Sequence, residues 1–64
     1  MDQTPARILR LSAVKAKVGL GHDAIYRGAR AGTFPRPIKL TPRASGWVEA
    51  EIDEWIADRA RQRA

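Results

Sequence analysis

Residues 11–32 read LSAVKAKVGLGHDAIYRGARAG, and their spacing decides the fold. Leu11, Val14 and Val18 recur at helical spacing, so a first helix is predicted with Ser12 as its N-cap and Gly19 at its end. Glycine enters the left-handed conformation that closes a helix without steric cost, which makes Val18-Gly19-Leu20 a tight connector carrying an apolar plug. A second helix is expected over residues 22–31, with Ile25 and Ala29 turned inward at i, i+4 and Gly32 terminating it. Arg27 and Arg30 then project away from the core. Two short helices joined by a glycine-containing turn are the geometry of a helix-turn-helix, in which the first helix presents the second to the major groove of DNA. Such pairs also occur in proteins that never touch DNA, so the weight falls on what surrounds them.

Downstream, Phe34-Pro35-Arg36-Pro37 forbids helix and biases the residues before each proline to extended geometry, giving a stiff strap. Ile38-Lys39-Leu40 and Gly46-Trp47-Val48 are short extended segments on either side of Thr41-Pro42-Arg43-Ala44-Ser45, which has turn chemistry; together they predict a β-hairpin. A closing helix is marked by Val48, Ile52, Trp55, Ile56 and Ala60 on one stripe, with acids early and arginines late to suit its macrodipole. Upstream, residues 7–11 alternate apolar and basic in part and predict a short strand beside the hairpin. The fold class is therefore mainly α with a small β-hairpin, a winged helix-turn-helix of three helices plus wing. One domain over residues 1–64 is expected, with 1–5 and 61–64 loose at the ends.

Composition narrows the function. A 64-residue chain is near the lower limit for one unaided core, and without cysteine neither disulfides nor thiolate ligands reinforce it. No apolar run approaches the roughly 20 residues of a membrane span and the N-terminus lacks a signal-peptide core, so a cytoplasmic protein without a membrane partner is expected. The net charge is +5, and its distribution matters more than its size. From residue 5 to residue 48 the bases are Arg7, Arg10, Lys15, Lys17, Arg27, Arg30, Arg36, Lys39 and Arg43, against Asp23 alone. From residue 49 to residue 58 come Glu49, Glu51, Asp53, Glu54 and Asp58 with no base. A merely solvated surface mixes signs, whereas a polyanion-binding surface concentrates one and exiles the other.

The candidate DNA-binding residues are His22, Asp23, Tyr26, Arg27, Arg30, Arg36, Lys39 and Arg43. Arg27 lies opposite the inward Ile25 and Ala29, and a guanidinium grips guanine O6 and N7 bidentately or clamps a phosphate. Asp23 repels phosphate and is expected to cap the second helix, though a carboxylate also accepts from a cytosine amino group. Lys39 and Arg43 make the hairpin basic, as suits a wing lying on the backbone or reaching the minor groove, with Arg43 nearest the tip. His22, the chain's one histidine, cannot assemble a metal site without cysteine or a second histidine. Trp47 and Trp55 have the residue type of stacking platforms but sit at apolar-periodic positions, where a small chain needs bulk. The acids spread along the last helix form no paired site and no nucleophile has a base beside it, so no enzyme and no small-molecule substrate or cofactor is expected.

With those residues in place, the chain resembles the AlpA family of phage and prophage regulators, related to excisionases and MerR-like winged helices. The resemblance is carried by Arg7-Ile8-Leu9-Arg10-Leu11, Val18-Gly19-Leu20, Ile25-Tyr26-Arg27, the run Gly32-Thr33-Phe34-Pro35-Arg36-Pro37-Ile38-Lys39-Leu40, Gly46-Trp47 and Glu54-Trp55-Ile56. It implies a factor that binds double-stranded DNA and regulates genes of a mobile element, or helps excise that element. Where the family usually has serine-arginine-serine-threonine before isoleucine-tyrosine-arginine, this chain has Gly21-His22-Asp23-Ala24, which alters the cap and the nearby base contacts. Three functions follow: a sequence-specific transcriptional regulator, an excisionase-like architectural factor that bends DNA, and, from another class, an adaptor docking proteins through the acidic helix. A single module covers little DNA, so a homodimer or several copies on adjacent sites are expected.

Overall fold

The computed structural model describes residues 7–63. Two glycines set the course of the chain, Gly19 at φ 74° and Gly32 at φ 84°, both in the left-handed region that side chains disfavour. Gly19 ends helix α1 (Leu11–Val18) with its N–H on Lys15 O, and Gly32 ends α2 (His22–Ala31). Beyond it, Thr33 and Phe34 both donate backbone N–H groups to Gly28 O at 2.9 and 3.2 Å, satisfying a carbonyl the helix leaves open. The connector between the helices is three residues, with half-buried Leu20 packed on the core as the expected plug.

Three antiparallel strands complete the wing: β1 (Ile8–Leu9), β2 (Ile38–Thr41) and β3 (Ala44–Val48), ordered β1-β3-β2. The register pairs Ile8 with Val48, Leu9 with Trp47 and Ile38 with Gly46. The hairpin strands are longer than their apolar runs predict, because Thr41 pairs with Ala44 and leaves Pro42 and Arg43 alone at the tip, with Leu40 as the extra residue of a bulge. Helix α3 (Glu49–Arg61) follows β3 without a loop, and Glu49 N–H bonds Arg7 O at 2.8 Å, fastening the entry of β1 to the start of the last helix. This is the winged helix-turn-helix expected from the sequence.

The core is Val14, Ile25, Ala29, Phe34, Trp47 and Ile52, ringed by half-buried Leu9, Leu11, Val18, Leu20, Tyr26, Trp55 and Ile56. The two tryptophans differ. Trp47 is fully buried and its indole N–H donates to Pro35 O at 2.9 Å. Trp55 is half-buried, donates to Thr33 O at 2.8 Å and meets Phe34 edge-on at 4.8 Å, so both tie the strap to the body. Ala60, expected on the buried stripe of α3, is exposed, because the last turns of this helix run past the core.

Ser12 is not the N-cap of α1. That position belongs to Arg10, whose carbonyl accepts from Ala13 and Val14 at 3.0 Å, with no side-chain cap. Pairing of β1 with β3 holds Leu9, and Leu11 must already be helical to reach the core, so tertiary geometry overrides the capping preference of serine. Residues 1–6 and 64 lie outside the described residues, so the expectation for 1–5 and for residue 64 does not meet the structure; Arg61 belongs to α3 and residue 62 to its final turn.

The acidic helix is partly neutralised from within. Lys17 Nζ lies 2.7 Å from Asp53 Oδ1 and 2.9 Å from Glu49 Oε2, and Arg7 Nε lies 3.5 Å from Glu49 Oε1. The hydrogen bond to Asp53, then that to Glu49, raises Lys17 above the ordinary lysine value of 10.5. A folded-state value above the unfolded one means the stabilisation is complete below pH 10.5 and is lost as pH rises through the raised value. Urea midpoints should therefore be lower for Lys17→Met than for the parent at about pH 8, with the gap closing towards about pH 12. A gap that holds at alkaline pH would show that the amine's charge is not what stabilises.

Candidate nucleic-acid interface

Helix α2 is sealed on one side by Ile25, with no exposure, and by Ala29, at 5%. His22, Asp23, Arg27 and Arg30 are exposed on the other, and Tyr26 lies between, half-buried. The i, i+4 spacing stacks His22 on Tyr26 at 4.8 Å between ring centroids, and Tyr26 in turn meets Trp47 edge-on at 5.7 Å. The outward ring is thus braced through Tyr26 against the most buried side chain of the wing.

Asp23 does not cap α2. Gly21 takes the N-cap in extended conformation with no side-chain hydrogen bond, and Asp23 Oδ1 lies instead 3.3 Å from His22 Nδ1. A carboxylate one residue inside the first turn still faces the positive end of the helix, so its placement is favourable without a capping bond.

The strap brings Arg36 back to α2. Its Nε donates to Ala29 O at 3.3 Å, using one of its donors on a carbonyl at the helix C-terminus, where a cation is favoured. Arg30 and Arg36 line a shallow cleft with Tyr26, Ala29 and Pro37. Sequence reasoning treated Pro37 only as part of a stiff connector. The signal for more was the proline on each side of Arg36, which fixes the direction from which that residue approaches the helix.

Lys39 and Arg43 belong to the hairpin rather than to this cleft. Lys39 Nζ donates to Pro42 O at 3.4 Å, across the turn, and the Arg43 backbone N–H bonds Thr41 Oγ1 at 3.2 Å, leaving its side chain exposed at the tip. The eight candidates therefore fall into two groups, six on α2 and the strap and two on the wing. Among the described residues, Arg27, Arg30, Arg36, Lys39 and Arg43 form no salt bridge, whereas Arg7 and Lys17, counted with them in the basic stretch, are drawn to Glu49 and Asp53. The segregation of charge seen in the sequence is thus narrower in space, centred on α2, the strap and the hairpin.

The molecule measures 38 Å along its longest axis, close to the ~34 Å of one turn of B-DNA. Among the described residues no helix is long and apolar enough to cross a membrane.

Comparison with known proteins agrees with this architecture. Over an alignment of 66 positions the chain is 38% identical to the DNA-binding transcriptional activator AlpA of Escherichia coli (strain K12), covering 94% of each protein. It is 34% identical over 58 residues to the uncharacterized protein ORF88 of Enterobacteria phage P4, covering 91% of this chain and 66% of that one. The family model described as prophage CP4-57 regulatory protein (AlpA) matches residues 7–60, from the entry of β1 to the last turns of α3. With the match running through every strand and helix just described, the chain belongs to the AlpA family of prophage regulatory proteins.

Proposed function

We propose that this protein is a sequence-specific, double-stranded-DNA-binding transcriptional regulator of a phage, prophage or related mobile element, acting by binding rather than catalysis. The observation that carries it is the outward presentation of Arg27 and Arg30 on α2, a helix whose opposite side is anchored by Ile25 and Ala29. In this reading α2 enters the major groove. Arg27 reads a guanine edge or clamps a phosphate, His22 and Tyr26 contact the groove wall, and Asp23 accepts from a cytosine amino group. Arg30 and Arg36 meet one phosphate strand, while Lys39 and Arg43 hold the hairpin on the backbone or in the adjacent minor groove. The family match and the 38% identity to a DNA-binding transcriptional activator of E. coli support DNA as the partner. The internal engagement of Glu49 and Asp53 by Lys17 weighs against an adaptor that docks through the acidic helix.

The test is selection of bound sequences from random duplexes, followed by titration of the selected duplex. Arg27→Ala should weaken the selected site by about 1–3 kcal/mol, roughly 5- to 150-fold, and relax preference at one base pair. Arg43→Ala should weaken all duplexes alike and lower the salt slope by about 0.9. Affinity that does not fall with salt, or an Arg27→Ala variant that binds like the parent while Glu51→Ala abolishes function, would give the chain to the adaptor class.

A further inference from the structure

The end of α2 ought by itself to repel DNA. The last carbonyls of a helix carry its negative pole, and a phosphate brought to them meets like charge. At this end lies the cleft formed by Tyr26, Ala29, Arg30, Arg36 and Pro37, about 460 Å³ in volume. Ala29 O, whose backbone partner Gly32 N–H stands off at 3.4 Å, also accepts from Arg36 Nε at 3.3 Å, so the strap returns a cation to the pole that needs one. The same bond fixes the guanidinium. Its Nε edge is spent on the carbonyl, while the two terminal nitrogens meet no acid among the described residues. Pro35 and Pro37 stiffen the backbone on either side of Arg36, and Trp47 pins Pro35 O at 2.9 Å, so the side chain springs from a fixed point. Arg30, exposed in the last turn of α2, lines the cleft as well. Half-buried Tyr26, braced between His22 and Trp47, joins Ala29 and Pro37 to give it an apolar floor.

We propose that this cleft is a seat for one phosphodiester group of the DNA backbone, with Arg36 as its anchor. The seat rests on the DNA-binding reading and separates Arg36 from the other cations of that surface. Two arginines without an acid partner require an anion, and the two terminal nitrogens of a guanidinium lie side by side to meet two phosphate oxygens. Base edges do not suit the position. Ala29 is 5% exposed and lies on the side of α2 opposite Arg27, so the cleft faces the wall of the groove rather than its floor. The apolar floor keeps water from the contact and strengthens it. Arg36 thus does two things that lysine cannot do together. An ammonium placed on Ala29 O offers no fork to the phosphate, and one turned to the phosphate leaves the negative pole bare.

Titrations of the full chain on the tightest-binding duplex recovered from a random pool test this. Arg36→Lys should weaken binding roughly tenfold, as much as Arg36→Ala. Arg30→Lys, which keeps its charge and has no carbonyl to serve, should stay within about twofold of the parent. Replacing each phosphate in turn by an uncharged methylphosphonate should reveal a linkage that costs the parent roughly tenfold and Arg36→Ala less than about twofold. Circular dichroism checks that the variants are folded, and Arg36→Lys carries the same comparison should Arg36→Ala melt early. Arg36→Lys binding like the parent would make Arg36 an ordinary solvated cation and overturn the seat. A scan in which no linkage loses its cost when Arg36 is replaced overturns it too; in both cases duplex binding persists and the regulator reading stands. A parent that binds no duplex removes that reading and the seat together.

Discussion

Trp47→Ala should leave most of the protein unfolded at 25 °C. The side chain is fully buried, bonds Pro35 O through its indole N–H, and receives the edge of Tyr26. Truncating a buried tryptophan costs about 3–5 kcal/mol. A chain of 64 residues holds only about 3–10 kcal/mol in total, and this one has no disulfide in reserve. Circular dichroism should show most helical signal lost at 25 °C. Trp47→Phe keeps much of the volume but orphans Pro35 O, and should fold with a lowered urea midpoint. If Trp47→Ala retained a cooperative transition near the parent midpoint, the wing would not be the keystone of the core.

Gly46→Val should be the next most damaging change, although it adds apolar bulk to a strand and ought by propensity to help. Its Cβ would stand 2.4 Å from Ile8 Cγ2 and 3.1 Å from Leu9 O. The isoleucine can swing aside; the backbone carbonyl of β1 cannot move without breaking its pairing with Trp47. Overpacking of this kind costs about 1–3 kcal/mol, and valine's two methyl groups press towards the upper end. Thermal melts should show the drop. A double variant in which Ile8→Ala accompanies Gly46→Val should recover part of it, and no recovery would place the strain elsewhere.

The fold was legible largely because its punctuation is local. Gly19, Gly32 and the Phe34-Pro35-Arg36-Pro37 strap act through their own backbone preferences, so α2 runs from His22 to Ala31 as its spacing predicts. Misreadings gathered where distant parts of the chain decide. Ser12 lost the cap to Arg10 because β1 pairs with β3; the shift of the α2 cap from Asp23 to Gly21 is a local exception, Asp23 turning to its neighbour His22. Of the candidate interface, the exposed arginines of α2 could be read from helical phase. The withdrawal of Lys17 and Arg7 by the acidic helix could not, since Glu49 and Asp53 reach them only once the last helix is packed. The bond of Arg36 to Ala29 O could not be read either, since it forms only once the strap has folded back onto α2.

The seam between β1 and β3 joins Ile8 to Val48, and the core needs Ile52 as well. No closed nucleus can therefore form on a nascent chain until those late residues have emerged from the ribosome, and α1 and α2 must wait as marginal, isolated helices. A chain cut short before Trp47 would therefore keep both helices of the pair yet lack the side chain that fastens the strap beneath them.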